Sequence, residues 1–151
     1  MTTTDHAFTG PGIEIFYQIV AARRDVRNGF LPDPVSDEVL TRVLAAAHQA
    51  PSVGLSQPWD FIVVREAALR ERVHALACRQ REVFAASLPG ARARAFQGLK
   101  VEAILDTPLS IVVTCDPTRG GRHVLGRHSQ PQMAAYSAAC AVQNLWLAAR
   151  A

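Results

Sequence analysis

Two short apolar runs, separated by long stretches of helical pattern, limit the folds that this chain can adopt. The first, Phe61-Ile62-Val63-Val64, is mostly β-branched, and the second, residues 108–116, is almost continuously apolar. Such runs predict strands that lie within a sheet, and we expect the second strand to be buried on both faces. Because only two strands stand between long helices, the periodicity predicts an α+β domain or a layered α/β domain.

The remaining segments have helical patterns, and the first three carry apolar residues at the spacing of helices with one buried face. Helices are predicted over residues 13–24, 36–50, 66–87 and 133–150. Pro89-Gly90 interrupts this pattern, so residues 91–105 form either a lid or the second half of a helical hairpin, and local sequence alone favours the hairpin. The last helix is apolar over most of its surface, which is typical of a core helix or a dimer interface.

Composition is that of one globular domain with a core, since 49% of the 151 residues are hydrophobic and 19% are charged. No run of about 18 apolar residues occurs, so no membrane span is predicted. Residues 1–12 lack the pattern of a secretory signal and are interpreted as a flexible segment before a domain over residues 13–151. The separated cysteines Cys78, Cys115 and Cys140 predict reduced, buried thiols in a cytoplasmic protein.

The formal net charge of +3 comes almost entirely from arginine, since Lys100 is the only lysine. The arginines are spread through helices that also carry acidic residues. A nucleic-acid interface usually shows a basic stripe with interleaved aromatics, so we expect no nucleic-acid partner. The polar loop of residues 117–130 contains His123 and His128, but neither further ligands nor a phosphate-loop motif accompanies them, and no metal site is predicted.

A cluster of charge, Arg23-Arg24-Asp25-Val26-Arg27, falls at the end of the first predicted helix. On a helix, Arg23 and Arg27 would lie one turn apart on the same face, where two planar guanidinium groups could bind one phosphate. The alternative is a solvated helix end, in which arginine complements the helix dipole. The stretch alone does not decide between these interpretations.

Residues 50–59, Ala-Pro-Ser-Val-Gly-Leu-Ser-Gln-Pro-Trp, form a loop between the second helix and the first strand. Its small residues would let a flat ligand approach the main chain closely, and its Ser and Gln side chains offer hydrogen bonds. The alternative is a plain connection from helix to strand with a packed Trp59.

Taken together, these segments resemble the FMN-dependent nitroreductase superfamily, and in detail its BluB branch, the 5,6-dimethylbenzimidazole synthases. The resemblance covers the chain from about Ile15 onward. The motifs that carry it are residues 23–27 with 30–32, 47–54 with 57–59, 108–110, 114–116, 118–121, 124–127, 131–133 and 140–151.

This resemblance implies a nitroreductase-like α+β fold with a central mixed or antiparallel sheet flanked by helices, bound FMN, and an intertwined homodimer whose sites are built from both chains. Residues 91–100 fall where the branch carries a lid over the flavin. The implied cofactor-binding residues are Arg23, Arg24 and Arg27 for the phosphate and ribityl chain, and Pro51, Ser52 and Gly54 beside the isoalloxazine ring.

In the BluB branch, reduced FMN is itself the substrate. A separate flavin reductase supplies it, and its reaction with O2 gives 5,6-dimethylbenzimidazole, the lower ligand of cobalamin, and erythrose 4-phosphate. The resemblance makes Asp25 the catalytic acid/base. General nitroreductases usually have Ser at the position of Asp25 and Asn at that of Leu55, so these two residues favour the BluB branch.

Two other functions stay open on the sequence. One is an NAD(P)H-dependent FMN nitro- or quinone reductase, and the other is a non-catalytic FMN-binding module. The chain also stops at Ala149-Arg150-Ala151, inside a helical pattern with no stop signal. We therefore expect a fragment whose fold is incomplete at the C-terminus. By resemblance, a hydroxyl residue of the branch would lie beyond this point, which leaves activity of the fragment in question.

Overall fold

A computed structural model describes residues 10–100 and 103–151 of the chain. Residues 1–9, which make up most of the segment 1–12 interpreted as flexible, lie outside the described residues. The first helix already begins at Pro11. In chain order the elements are α1 (Pro11–Ala22), α2 (Asp37–His48), a 3-10 turn (Val53–Leu55), β1 (Trp59–Val64), α3 (Ala67–Ser87), α4 (Gly90–Gln97), β2 (Ser110–Cys115) and α5 (Met133–Arg150).

The two strands pair antiparallel, which confirms the predicted α+β class with its antiparallel sheet. Phe61 lies opposite Val113, and both pack against the buried core. Ile62 lies opposite Val112, and these side chains are 49% and 41% exposed. The prediction that the second strand is buried on both faces is therefore wrong. A sheet of two strands offers one face to α5, and the alternate residues on the other face remain accessible.

Helix α5 is the central element of the core. Its buried residues are Ala134, Ser137, Ala138 and Ala141, at the i, i+3, i+4, i+7 spacing of one helical face. Because these side chains are small, the helix packs closely on its neighbours, and Ala141 has no exposed surface. Ala138 and Ala141 form a cluster with Ala50 and Trp59.

Helix α2 begins where the sequence predicts, because the Ser36 hydroxyl accepts a hydrogen bond from the Val39 backbone N–H at 3.3 Å. This bond satisfies one of the donors that every helix leaves free at its N-terminus. The helix ends at His48, three residues before Pro51. It is joined to α5 by the Asn144 side-chain amide, which donates to the Ala46 carbonyl at 3.2 Å.

Replacing Ser36 by Ala is expected to lower the free energy of unfolding by about 1 kcal/mol, because the cap hydrogen bond is lost. Urea denaturation followed by circular dichroism measures this change. Ser36→Thr keeps a hydroxyl and is the matched control, which should retain most of the stability. Equal losses in both variants would contradict the capping role.

Helices α3 and α4 pack on each other through Phe84 and Phe96, whose ring centroids are 5.0 Å apart in an edge-to-face arrangement. Arg81 on α3 donates to the carbonyls of Gln97 and Leu99, at 2.9 and 2.5 Å. These contacts agree with the hairpin interpretation of residues 91–105, of which 101–102 lie outside the described residues.

All three cysteines are free, but the expectation that they are buried is wrong. Cys115 and Cys140 are exposed, and Cys78 is half-buried. Cys140 falls outside the buried stripe of α5, and Cys115 is the last residue of β2. Across the described ranges 10–100 and 103–151, no helix has the combined length and apolarity needed to cross a bilayer.

Candidate functional site

The charged cluster of residues 23–27 follows helix α1 rather than continuing it. The helix ends at Ala22, and Arg23 is extended, with φ −62° and ψ 127°. The expectation that Arg23 and Arg27 share one helical face is therefore wrong. The Arg24 guanidinium donates to the carbonyls of Ala21 and Arg23, at 2.5 and 2.8 Å. Since carbonyls at a helix C-terminus lack partners within the helix, this side chain satisfies the end of α1.

Each of the other two arginines also has a defined contact. The Arg23 guanidinium carbon lies 4.1 Å from the centroid of the Trp146 ring, in a cation–π arrangement. Arg27 donates from Nε and Nη2 to Asp25 Oδ2, at 2.9 and 2.5 Å. The side chains of Arg27 and Asp25 are 40% and 60% exposed, so a ligand can reach this ion pair.

A cavity of about 460 Å³ opens over this cluster, and we call it the arginine cavity. Arg150, the last residue of α5, adds a third guanidinium group, while Asp25 supplies the carboxylate. This surplus of positive charge suits an anion. Sequence reasoning missed Trp146 and Arg150 as site residues, although their spacing of four residues on one helix was a usable signal. The lining residues are Ala22, Arg23, Arg24, Asp25, Val26, Phe30, Trp146, Ala149 and Arg150.

The loop before β1 borders a second, smaller cavity of about 290 Å³, which we call the loop cavity. Gly54 lies elsewhere in the same loop: a Cβ at this position would come within 2.8 Å of Val124 Cγ1 and 3.0 Å of the Leu125 nitrogen. Glycine is therefore required at position 54 for close backbone approach, whatever the loop binds. The loop cavity is lined by Pro51, Ser52, Val53, Met133, Tyr136, Ser137 and Cys140.

The backbone of this loop is strained. Leu55 and Gln57 have φ values of 53° and 43°, in the left-handed region that costs a non-glycine residue about 1–3 kcal/mol. Ser52 holds the loop from within: its carbonyl accepts from the Leu55 N–H at 3.1 Å, and its hydroxyl accepts from the Gln57 N–H at 3.0 Å. Ser137 on α5 holds it from outside by accepting from the Val53 N–H at 3.0 Å.

Trp59, at the end of the loop, is 3% exposed and donates from its indole nitrogen to His48 Nδ1 at 3.3 Å. The packed tryptophan of the plain-connection interpretation is thus present. The strained backbone beside a cavity is an additional feature that a plain connection does not need.

The polar loop after β2 turns two of its arginines, Arg119 and Arg127, inward. Arg119 donates to the carbonyls of Gln57 and Trp59, at 3.1 and 2.7 Å, and to Asp60 Oδ2 at 2.5 Å. The hydrogen bond and the charge of Asp60 raise the pKa of Arg119. Arg127 donates to the carbonyls of Thr118, Arg119 and Gly121. In the part of the chain that the structure describes, no group of three or more His, Cys, Asp or Glu side chains could hold a metal ion.

Asp116 begins this loop, and hydrogen bonds from the Thr118 hydroxyl and backbone N–H lower the pKa of its carboxyl below the ordinary value of 3.8. A carboxyl group whose pKa is lowered by folding stabilises the fold at pH values above its unfolded-state pKa. This contribution is lost as the pH falls through the folded-state pKa. We expect the wild type to be more stable than Asp116→Asn at neutral pH, with the difference shrinking below pH 3.8.

Urea denaturation of both proteins over a pH series measures this difference. Asp33→Asn, in the exposed connector before α2, is the control for a general charge effect. A difference between wild type and Asp116→Asn that stays constant with pH would contradict the interpretation.

The arginine cavity and the loop cavity have no lining residue in common. Both border α5, the first near Trp146 and the second near Ser137. At about 1.5 Å per residue, these two positions are about 14 Å apart along the helix axis. The structure of one chain thus brings Arg23, Arg24 and Asp25 together, with Arg27 joined through Asp25, and places Pro51 and Ser52 at a separate site.

The sequence model of the nitroreductase family matches residues 20–151, and the chain belongs to this family. It is 41% identical over 129 residues to the 5,6-dimethylbenzimidazole synthase of Rhodospirillum rubrum, covering 85% of this chain and 61% of that protein. It is 40% identical over 136 residues to the enzyme of that name from Rhodobacter capsulatus, covering 89% of this chain and 64% of that protein. The chain therefore spans less than two thirds of the length of these curated relatives. The predicted resemblance to the BluB branch is confirmed.

Solved structures confirm the nitroreductase-like fold. Oxidized iodotyrosine deiodinase bound to FMN and 3-iodo-L-tyrosine superposes with a TM-score of 0.71 at 21% identity, over 89% of this chain and 68% of that one. A BluB-like flavoprotein from Clostridium difficile superposes with a TM-score of 0.68 at 20% identity, over 88% of this chain and 68% of that one. A nitroreductase with bound FMN from Desulfitobacterium hafniense superposes with a TM-score of 0.63 at 26% identity, over 89% of this chain and 64% of that one.

Proposed function

We propose that this chain is part of a 5,6-dimethylbenzimidazole synthase that binds reduced FMN and uses Asp25 to move protons during its oxygen-dependent cleavage. The observation that carries the proposal is the Asp25 carboxylate, paired with Arg27 at 2.5 Å inside the cluster that lines the arginine cavity. Relatives at about 40% identity that bear this enzyme's name support it. The proposed products are 5,6-dimethylbenzimidazole and erythrose 4-phosphate.

The residues of the arginine cavity fit the phosphate end of FMN. Arg23, Arg24 and Arg150 supply planar, permanently charged donors that match phosphate oxygens, and Arg27 would contribute through its pair with Asp25. The Trp146 ring, already under the Arg23 guanidinium, fixes one of these donors in place. A volume of about 460 Å³ lies in the range of small-molecule sites.

The loop cavity fits the edge of a flat ring. Pro51, Ser52 and Val53 present a main chain held in one conformation, and Tyr136 and Met133 add apolar surface. Gly54 would act by allowing this loop to pack on residues 124–125. When bound, reduced FMN supplies the electrons that react with O2 and is itself the molecule that is cleaved.

Asp25 can accept and return a proton because both hydrogen bonds from Arg27 go to the same oxygen, Oδ2. Oδ1 therefore remains for a proton from the ligand. The carboxylate is 60% exposed in the single chain, so it can reach a ligand in the arginine cavity. General acid–base catalysis by a positioned carboxylate typically contributes about 10²- to 10⁴-fold to the rate.

We further propose that a second copy of the chain completes the site. No residue of α1 is buried, and its apolar side chains are 42–62% exposed at Ile13, Ile15, Phe16, Tyr17 and Val20. A helix that is apolar and exposed along its length needs a partner surface. In a homodimer, the arginine cavity of one chain and the loop cavity of the other could face the same FMN. The other proposed partners are O2 and a separate flavin reductase, and the proposed location is the cytoplasm.

The proposal is tested by incubating the purified full-length protein with FMNH2 in air and analysing the products by chromatography and mass spectrometry. The expected result is 5,6-dimethylbenzimidazole. Consumption of FMNH2 that yields only H2O2 and intact FMN would contradict the proposal. Rapid oxidation of NAD(P)H by the protein alone would instead identify an NAD(P)H-dependent reductase.

A further inference from the structure

The loop that borders the loop cavity contains two residues in strained backbone conformations, in addition to the hydrogen bonds that Ser52 makes within it. Leu55 has a φ of 53°, which disfavours leucine, and its side chain is 88% exposed, so packing offers it little compensation. Gln57 is likewise left-handed, with a φ of 43°. Strained residues persist only where the surrounding structure over-determines them, so contacts from outside the loop must hold it.

The turn after β2 supplies these contacts as hydrogen-bond donors to three consecutive carbonyls, those of residues 57–59. Arg119 donates to the carbonyls of Gln57 and Trp59, at 3.1 and 2.7 Å, and the Asp116 N–H donates to the Pro58 carbonyl between them at 2.7 Å. A further hydrogen bond of 2.5 Å to Asp60 Oδ2 fixes the Arg119 guanidinium itself. One planar side chain thus joins the exit of the loop to the start of β1.

Arg119 is held in turn by its own neighbours. Arg127 donates to the Arg119 carbonyl and to the Gly121 carbonyl, which closes the turn that carries Arg119. Val124 is 8% exposed and fills the space between two glycines, since a Cβ at either Gly54 or Gly120 would lie 2.8 Å from one of its methyl groups. The turn and the loop therefore form one packed unit.

We infer that Arg119 is a positioning residue, which holds residues 52–57 in the strained conformation that presents Pro51, Ser52 and Val53 to the ligand of the loop cavity. The inference rests on the proposed function only for the identity of that ligand, FMN. Arg119 acts through the loop and does not itself border the loop cavity. Lysine cannot replace it fully, because an ammonium group cannot span two carbonyls and a carboxylate in a fixed plane.

The test compares Arg119→Gln with Arg122→Gln. Arg122 lies three residues further along the same turn and is exposed, so its replacement changes the charge equally and serves as the control. Amide hydrogen exchange of Leu55, Ser56 and Gln57 is expected to become about tenfold faster in Arg119→Gln. It should not change in Arg122→Gln. The exchange rate in Arg119→Lys should lie between the rates in these two variants. If Arg119→Gln does not fold, Arg119→Lys is compared with Arg122→Gln instead.

A rescue variant separates positioning from general stability. Asparagine tolerates the left-handed region, so Leu55→Asn removes much of the strain that Arg119 has to oppose. Adding Leu55→Asn to Arg119→Gln is expected to restore slow exchange at Ser56 and Gln57, as well as the visible absorption spectrum of bound FMN. Exchange in Arg119→Gln equal to that of the Arg122→Gln control, or a double variant no better than Arg119→Gln alone, would overturn the inference.

FMN binding by the wild type and hydrogen exchange of the loop test the proposed function and the role of Arg119 separately. If the wild type binds no FMN, the proposed function is wrong, and the exchange measurements still test Arg119. If the wild type binds FMN and the exchange of the loop is indifferent to Arg119, the positioning role is wrong and the proposed function stands.

Discussion

Asp25→Asn is expected to slow formation of 5,6-dimethylbenzimidazole by about 10²- to 10⁴-fold while FMN remains bound. The amide keeps the size of the side chain and an oxygen that can accept from Arg27, but it cannot take up a proton near neutral pH. The pair that Asp25 forms with Arg27 is 40–60% exposed, so it stabilises the fold by about 1 kcal/mol or less. Single-turnover mixing of FMNH2-loaded protein with O2 gives the rate, and FMN fluorescence gives the binding.

Asp33→Asn is the matched control, since Asp33 is an exposed carboxylate in the connector that follows the charged cluster. It should leave product formation unchanged. Wild-type rates in Asp25→Asn would remove Asp25 from the reaction. Loss of FMN binding in the same variant would make Asp25 a binding residue instead.

Arg24→Gln is expected to weaken FMN binding by about 10- to 100-fold, because a hydrogen bond from a charged donor contributes about 1.5–3 kcal/mol. Riboflavin, which lacks the phosphate, should bind the variant about as well as it binds the wild type. Titration of both flavins by fluorescence gives the ratio of the two affinities. This ratio measures the contribution of the phosphate to binding, separately from that of the rest of the flavin.

Arg79→Gln on the exposed surface of α3 is the control for the loss of one positive charge. It should preserve the preference for FMN over riboflavin. If Arg24→Gln weakens both flavins equally, the arginine cavity binds something other than the phosphate, or the change acts through the end of α1.

The sequence predicted helices and strands well where neighbouring residues determine them. The β-branched run at 61–64 became the core of β1, and Ser36 became the N-cap of α2. The strongly apolar composition after Met133 predicted one long helix, which the structure confirms as α5. The arginine cluster was also identified from sequence, together with its enclosed carboxylate.

Features that depend on distant contacts were not predictable in this way. No residue near Ala22 signals the end of α1, because the arginine that satisfies its carbonyls is itself a good helix former. The inward turn of Arg119 depends on the Gln57 carbonyl, 62 residues earlier in the chain. The partial exposure of β2 depends on how many elements cover the sheet. The composition of one strand does not contain this information.

Helix α5 also sets the distance between the two cavities. Ser137 touches the loop before β1 and Trp146 lies under Arg23, so the separation of the two cavities is counted in helical residues rather than set by loops. Adding one residue between them would turn Trp146 by about 100° and move it by about 1.5 Å along the axis. Substitutions can alter either cavity separately, whereas a change in the length of α5 would alter their alignment.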